Sequence, residues 1–323
     1  MPRAEAIAFR AGDEGLAGTL LLPDGADHGA RVPWAVLIAS WLPRDRDGGW
    51  DRVAHPRWFA PEPGAERSRA LLARLADALA VRGVASLRYD KRGCGGSGSR
   101  WEAADLFTLV DDARDALGAM RGRPELDLRR TGLVGHGEGA VVALSVAIAD
   151  PAIGALTLVG SPARSWADVL RRGVARRERT GVDRQHPIVA ALDRAAEELI
   201  ERARRHEPRA ILDIDGDRVT LELAGLEQAI HTPALALATM LHRSVTLVHG
   251  ASDAWTDPDE SRLLLAALPA EESAGLELVP GAGHDLREAD ADRIGLIADD
   301  LARRLVPREL PPVLLAIQDP AEG

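Results

Sequence analysis

Thr131-Gly132-Leu133-Val134-Gly135-His136-Gly137-Glu138-Gly139 runs from a short apolar segment into a turn with glycine at every second position. Residues 131–135 read as a strand and 139–150 as a helix, so the glycines sit where a strand must turn sharply. The central residue of such a turn, Gly137, is held in a strained backbone conformation that glycine tolerates because it lacks a Cβ. Alone, G-x-G-x-G is a weak signal. Its spacing is not the G-x-G-x-x-G of a dinucleotide site, and no acidic residue ends the next strand to hold a ribose.

On either side of this stretch, strand and helix patterns alternate. Upstream, residues 4–9, 16–23, 35–40 and 85–90 read as strands, and 68–83 and 107–121 as helices. Downstream, 155–160 reads as a further strand. Alternation of this kind argues a parallel sheet covered on both faces. It stops at Ser161, and residues 161–243 read as mostly helical and highly charged. Strands then resume at 245–250 and 276–280, with helices at 260–268 and 289–305. We therefore expect a core of residues 1–160 and 244–306, a helical cap at 161–243, and a poorly packed tail at 307–323. The cap enters on the side where parallel strands end and ligand crevices form.

Composition narrows the function. The chain has 323 residues, net charge −10 and one cysteine, Cys94, so no intrachain disulfide is possible. An acidic chain offers no broad attraction to phosphate backbones, and nucleic acid is not an expected partner. No apolar run reaches bilayer length, and the first fifteen residues lack the apolar core of a signal peptide, so a cytoplasmic protein without membrane attachment is expected. The histidines show neither H-x₃-H nor H-E-x-x-H spacing, and neither a metal nor a cofactor is expected. A homo-oligomer is compatible with the sequence, which does not give the oligomeric state.

Two later stretches give the turn its context. His249-Gly250-Ala251-Ser252-Asp253 places Asp253 in the loop after a strand, and Gly281-Ala282-Gly283-His284-Asp285 does the same for His284. The order elbow, acid, histidine, each after a strand, is specific. With Tyr89-Asp90-Lys91-Arg92-Gly93-Cys94-Gly95-Gly96-Ser97-Gly98, the chain resembles the α/β-hydrolase superfamily, in its serine-aminopeptidase-like and esterase-like branch. The resemblance spans about residues 4–305. It implies an α/β-hydrolase fold, a mostly parallel twisted sheet with helices on both faces and a helical cap. It also implies Asp253 and His284 as acid and base of a triad whose serine position holds Gly137. A second departure lies in Ser40-Trp41-Leu42-Pro43-Arg44-Asp45-Arg46-Asp47-Gly48, which resembles the family's oxyanion loop in its second half but has lost the early glycines.

A chain with glycine at the elbow is not expected to use the serine-nucleophile route, because removing that group costs about 10⁶ in kcat. What remains is a dyad. Asp253 can accept the Nδ1–H of His284 and leave Nε2 free as an acid/base, while the Glu138 N–H steadies a developing oxyanion. Such a site suits cyclisation, elimination or isomerisation beside a carbonyl. The hydroxyls of Ser40 and Ser161, both after strands, are alternative nucleophiles. The chain has seven tryptophans against three Phe and one Tyr, and Trp41, Trp101, Trp166 and Trp255 fall in strand-end or cap segments. They suit a pocket for a bulky hydrophobic small molecule, or serve to pin long loops. The expected reading is a cofactor-independent lyase, cyclase or isomerase of biosynthesis. A serine esterase or peptidase with an engineered serine-to-glycine change, and a silent binding protein, stay open.

Overall fold

A computed structural model describes residues 1–26, 29, 31–60, 70–269 and 274–318. Eight strands form one sheet in the order β1-β2-β4-β3-β5-β6-β9-β10. These are β1 (Arg3–Ala11), β2 (Glu14–Leu22), β3 (Val32–Ile38), β4 (Ala85–Tyr89), β5 (Leu126–His136), β6 (Ile153–Val159), β9 (Ser244–Gly250) and β10 (Ala274–Val279). The pairs β1/β2 and β2/β4 are antiparallel, and every pair from β4 to β10 is parallel. The central strands β4 and β6 are buried along their whole length, as a sheet covered on both faces requires.

The helices cover the faces through ordinary amphipathic spacing. In α1 (Leu71–Val81) the residues Leu71, Leu72, Leu75, Ala76 and Leu79 are buried, and they pack with α9 (Ala291–Arg304) on one face. The helix expected over 68–83 thus begins at Leu71, and residues 68–69 lie outside the described residues. The other face carries α2 (Leu106–Arg121), α3 (Glu138–Ala149) and α8 (Pro258–Ala267). Asp105 caps α2 by accepting from the Thr108 N–H, and Asp290 caps α9 through the Arg293 N–H. No described helix is long and apolar enough to cross a membrane.

Between β6 and β9 the chain forms α4 (Trp166–Thr180), α5 (Pro187–Arg204), α6 (Ala224–His231) and α7 (Ala234–Ala238). It also forms a two-stranded sheet, β7 (Arg209–Ile214) with β8 (Asp217–Glu222), inside the segment whose sequence reads as mostly helical. The signal was there. Ala210, Leu212 and Ile214 are buried while their neighbours are exposed, and Asp215-Gly216 supplies two positive-φ residues, the requirement of a tight hairpin turn. The high charge of the segment masked a period of two.

The tail also departs from expectation. Leu310 is buried, α10 (Pro312–Gln318) buries Leu314, and the Gln318 side chain accepts from the Leu128 N–H at 2.7 Å. Leu310 and Leu314 land on the face carrying α2 and β5, while Val313 and Ile317 stay exposed.

Candidate active site

β5 ends at His136, α3 begins at Glu138, and Gly137 stands between them at φ 54° and ψ −116°. The flanking glycines are required by contact. A Cβ on Gly135 would collide with the backbone of Gly139, and one on Gly139 with the carbonyl of Ile38. A Cβ on Gly137 would overlap the Ser40 hydroxyl and stand 3.0 Å from His284 Nε2. Strand β3, adjacent and parallel to β5, pairs Ile38 with Gly135, which brings Ser40 level with Gly137 just past the strand end.

His284 follows β10 and Asp253 follows β9. His284 Nδ1 lies 2.8 Å from Asp253 Oδ2, and both residues are buried. Asp253 Oδ1 accepts from the N–H groups of Trp255 at 2.7 Å and Thr256 at 2.9 Å, while His249 Nε2 lies 3.2 Å from Oδ2. His249 is in turn fixed by the Ser261 hydroxyl, 2.6 Å from its Nδ1. Sequence pattern alone assigns no role to His249. Burial opposes the Asp253 charge, but His284 and His249 outweigh it and hold the carboxyl well below its usual range. Burial likewise opposes charge on His284, and the Asp253 carboxylate outweighs it, raising the imidazole above the ordinary 6.5.

The other ring nitrogen, Nε2, faces the elbow. Ser40 Oγ lies 3.3 Å from it. With the Nδ1 proton donated to Asp253, Nε2 carries a lone pair and the Ser40 hydroxyl donates to it. Ser161 does not join them; its hydroxyl is buried and turned to the Pro162 carbonyl at 3.1 Å. Glu138 is the first residue of α3, so its N–H has no partner within the helix and points with the positive end of the helix dipole.

Around this centre lie residues whose part only the fold reveals. The His136 ring lies 4.5 Å from that of His284, tilted by 37°, and its Nε2 is 3.1 Å from the His284 carbonyl. Burial and the neighbouring His284 push its pKa down to about 3, so it is a neutral support for the His284 backbone. Asp285 takes Arg44 Nη1 at 3.0 Å, and Arg44 covers the Trp50 ring at 3.6 Å. His136, His284 and Asp285 approach one another as a metal trio would, but both ring nitrogens of His284 are already engaged by Asp253 and Ser40. Lys91, the chain's only lysine, is buried and donates to the Ser40 carbonyl at 2.8 Å and to Glu138 Oε2 at 3.0 Å. Cys94 is buried, and burial pushes its thiol up to about 12, which leaves it protonated and inert.

Two adjoining cavities open beside these residues. The smaller, about 410 Å³, is lined by Ser40, Gly137, His284, Trp41, Trp166 and Trp255. The larger, about 1010 Å³, reaches under the inserted segment and is lined by Trp41, Trp101, Trp166, Trp255, Leu106 and Leu192, with Lys91, Glu138, Arg177 and Asp193 as polar groups. Trp41 and Trp166 meet edge to face at 5.5 Å. Trp255 is clamped by Asp183, which accepts from its Nε1 at 2.6 Å, and by Arg177 4.2 Å over its ring. Trp50 and Trp58 serve mainly to pin the long loop. Trp50 stacks on Phe59 at 4.9 Å, and Trp58 Nε1 donates to Asp217 at 3.2 Å.

A family model described as "Serine aminopeptidase, S33" matches residues 63–290. No curated protein sequence matches the chain. Among solved structures, Est1E from Butyrivibrio proteoclasticus with bound ferulic acid is 16% identical, with a TM-score of 0.63 over 92% of this chain and 97% of that one. The esterase domain of a Rhodothermus marinus protein is 16% identical, with a TM-score of 0.58 over 94% and 100%. The α/β hydrolase GrgF from Penicillium sp. sh18 is 17% identical, with a TM-score of 0.60 over 94% and 99%. At such identities the likeness is one of fold.

Proposed function

The chain belongs to the serine aminopeptidase (S33) family of α/β hydrolases, and from that premise we propose an enzyme in which His284, oriented by Asp253, moves a proton beside a carbonyl of a bulky apolar small molecule. The observation that carries this reading is the direction of His284: Nδ1 is tied to Asp253 at 2.8 Å, and Nε2 faces a cavity wall where residue 137 has no side chain. A base held in one tautomer contributes about 10²–10⁴-fold by itself. An oxyanion role for the Glu138 N–H is supported by its position as the first residue of α3.

The walls support a substrate class. Four tryptophans and several leucines favour a large apolar or polycyclic molecule over a peptide, and the few polar groups select its orientation. The fold neighbour solved with ferulic acid binds an aromatic acid, and a group of that kind suits these walls. Cyclisation, elimination and isomerisation all fit a proton transfer here. Acyl transfer, as in ester hydrolysis, is favoured by the hydroxyl on Nε2.

The test is turnover of a panel of 4-nitrophenyl esters of aromatic and long-chain acids by the wild-type chain and His284→Ala. We expect kcat/KM to fall by at least about 10²-fold in the variant. Equal rates would exclude His284 as the acid/base. Failure of the wild type to turn over any ester in the panel, or to show tryptophan quenching with the free acids, would favour a silent scaffold.

A further inference from the structure

Ser40 and Gly137 compete for one position. Neighbouring strands lie about 4.8 Å apart, and the β3/β5 register sets Ser40 level with Gly137. The Ser40 side chain crosses that gap, so its hydroxyl occupies the space a Cβ on residue 137 would take. A side chain at 137 and the observed Ser40 rotamer exclude each other. Glycine at the elbow is thus the condition for a hydroxyl to reach His284 from the adjacent strand.

Three further observations bear on what that hydroxyl does. It lies 3.3 Å from Nε2 of the histidine that Asp253 orients. It lines the same 410 Å³ cavity as Gly137 and His284, so it borders substrate space rather than the core. Its backbone is fixed by Lys91, whose ammonium holds the Ser40 carbonyl at 2.8 Å and the Glu138 carboxylate at 3.0 Å, joining the end of β3 to the start of α3.

We propose that Ser40 is the covalent nucleophile of this enzyme, delivered to His284 from the end of β3 instead of from the elbow. This rests on the acid/base role given above to His284. Nε2 of His284 takes the hydroxyl proton as Ser40 Oγ bonds to the carbonyl carbon of an ester. The bond from that carbon to the leaving oxygen then breaks, and the leaving alcohol departs with the proton from Nε2. The acyl group on Ser40 passes to water, or to a hydroxyl elsewhere in the same substrate, whose proton goes to Nε2 and returns to Ser40 Oγ on release. Hydrolysis and ring closure are then two fates of one acyl-enzyme.

The experiment uses a long-chain alkyl fluorophosphonate on the full chain, read by intact mass and peptide mapping. Oγ displaces fluoride at phosphorus, with the hydroxyl proton going to His284. One phosphonyl adduct is expected, on Ser40, absent in Ser40→Ala and formed at least about 10²-fold more slowly in His284→Ala. No adduct, or an adduct on another residue, would overturn the proposal. Ester turnover lost in His284→Ala but kept in Ser40→Ala would overturn it while leaving the acid/base reading intact. Turnover unchanged in His284→Ala would sink both. Ser40→Cys guards against a folding defect. The introduced thiol, beside His284, should be alkylated by iodoacetamide at pH 7 faster than in Ser40→Cys/His284→Ala, and equal rates count against the proposal.

Discussion

His284 and Asp253 hold each other in opposite charge states, and this has a measurable sign. The carboxylate raises the imidazole above 6.5, so the neutral form that accepts a proton is gained only as pH rises through that raised value. We expect the acidic limb of the kcat/KM profile to lie above pH 6.5. Asp253→Asn removes the opposing charge and the tautomer control. It should move that limb to lower pH and cut the plateau by about 10⁴-fold. A limb that stays in place would mean that another group titrates in turnover. Asp253 and His284 were legible in the sequence because each closes a recognisable turn after a strand. Lys91 is not, since its contact with Ser40 joins residues 51 apart that only the packed sheet brings together, and His249 is not, since a histidine four residues before an aspartate is no recognisable signal by itself.

At the scale of elements, the loop after β3 and α4, the first helix of the inserted segment, line the site. The loop closes on Asp45, whose Oδ1 accepts from the N–H groups of Asp47 at 2.9 Å and Gly49 at 3.1 Å. Burial, and then the nearby Asp47, raise the Asp45 pKa to about 6 from 3.8. A carboxyl raised in the folded state is a cost once ionised: stability falls as pH rises from 3.8 through about 6, and the loss is complete above that. Asp45→Asn keeps the acceptor and removes the charge. It should raise Tm by a few degrees at pH 8 and leave it nearly unchanged at pH 4, as scanning calorimetry would read. In α4, Arg177 pairs with Asp193 of α5 at 2.6 Å with both side chains buried, and it also covers Trp255. Arg177→Ala strands a buried carboxylate with only the more distant Arg184, 3.8 Å away, as cation. A loss of about 3 kcal/mol is expected in urea unfolding. A loss under 1 kcal/mol would mean that water reaches Asp193.

For the whole molecule, the larger cavity lies between the strand-end loops and the inserted segment, and Leu192 of α5 forms part of its wall. Leu192→Trp should lower turnover of long or polycyclic acyl esters at least about 10-fold while sparing acetyl esters, since added bulk acts only on ligands that reach that wall. Equal loss across the series would place the substrate elsewhere.

The order of strands and helices, the elbow and the two later loops were determined by the sequence itself, because hydrophobic period, glycine placement and chain order are local properties. The hairpin at 209–222 was equally local, but its alternation was hidden by charge. What the tertiary structure alone decided is the partnership across strands. That Ser40 stands where a side chain of residue 137 would stand depends on β3 lying beside β5 in one register. That a lone lysine joins Ser40 to Glu138 depends on β4 lying beside β3. Sequence spacing carries no information about such lateral neighbours, because hydrogen-bonded pairing brings together residues tens of positions apart, and the site is built from those pairs.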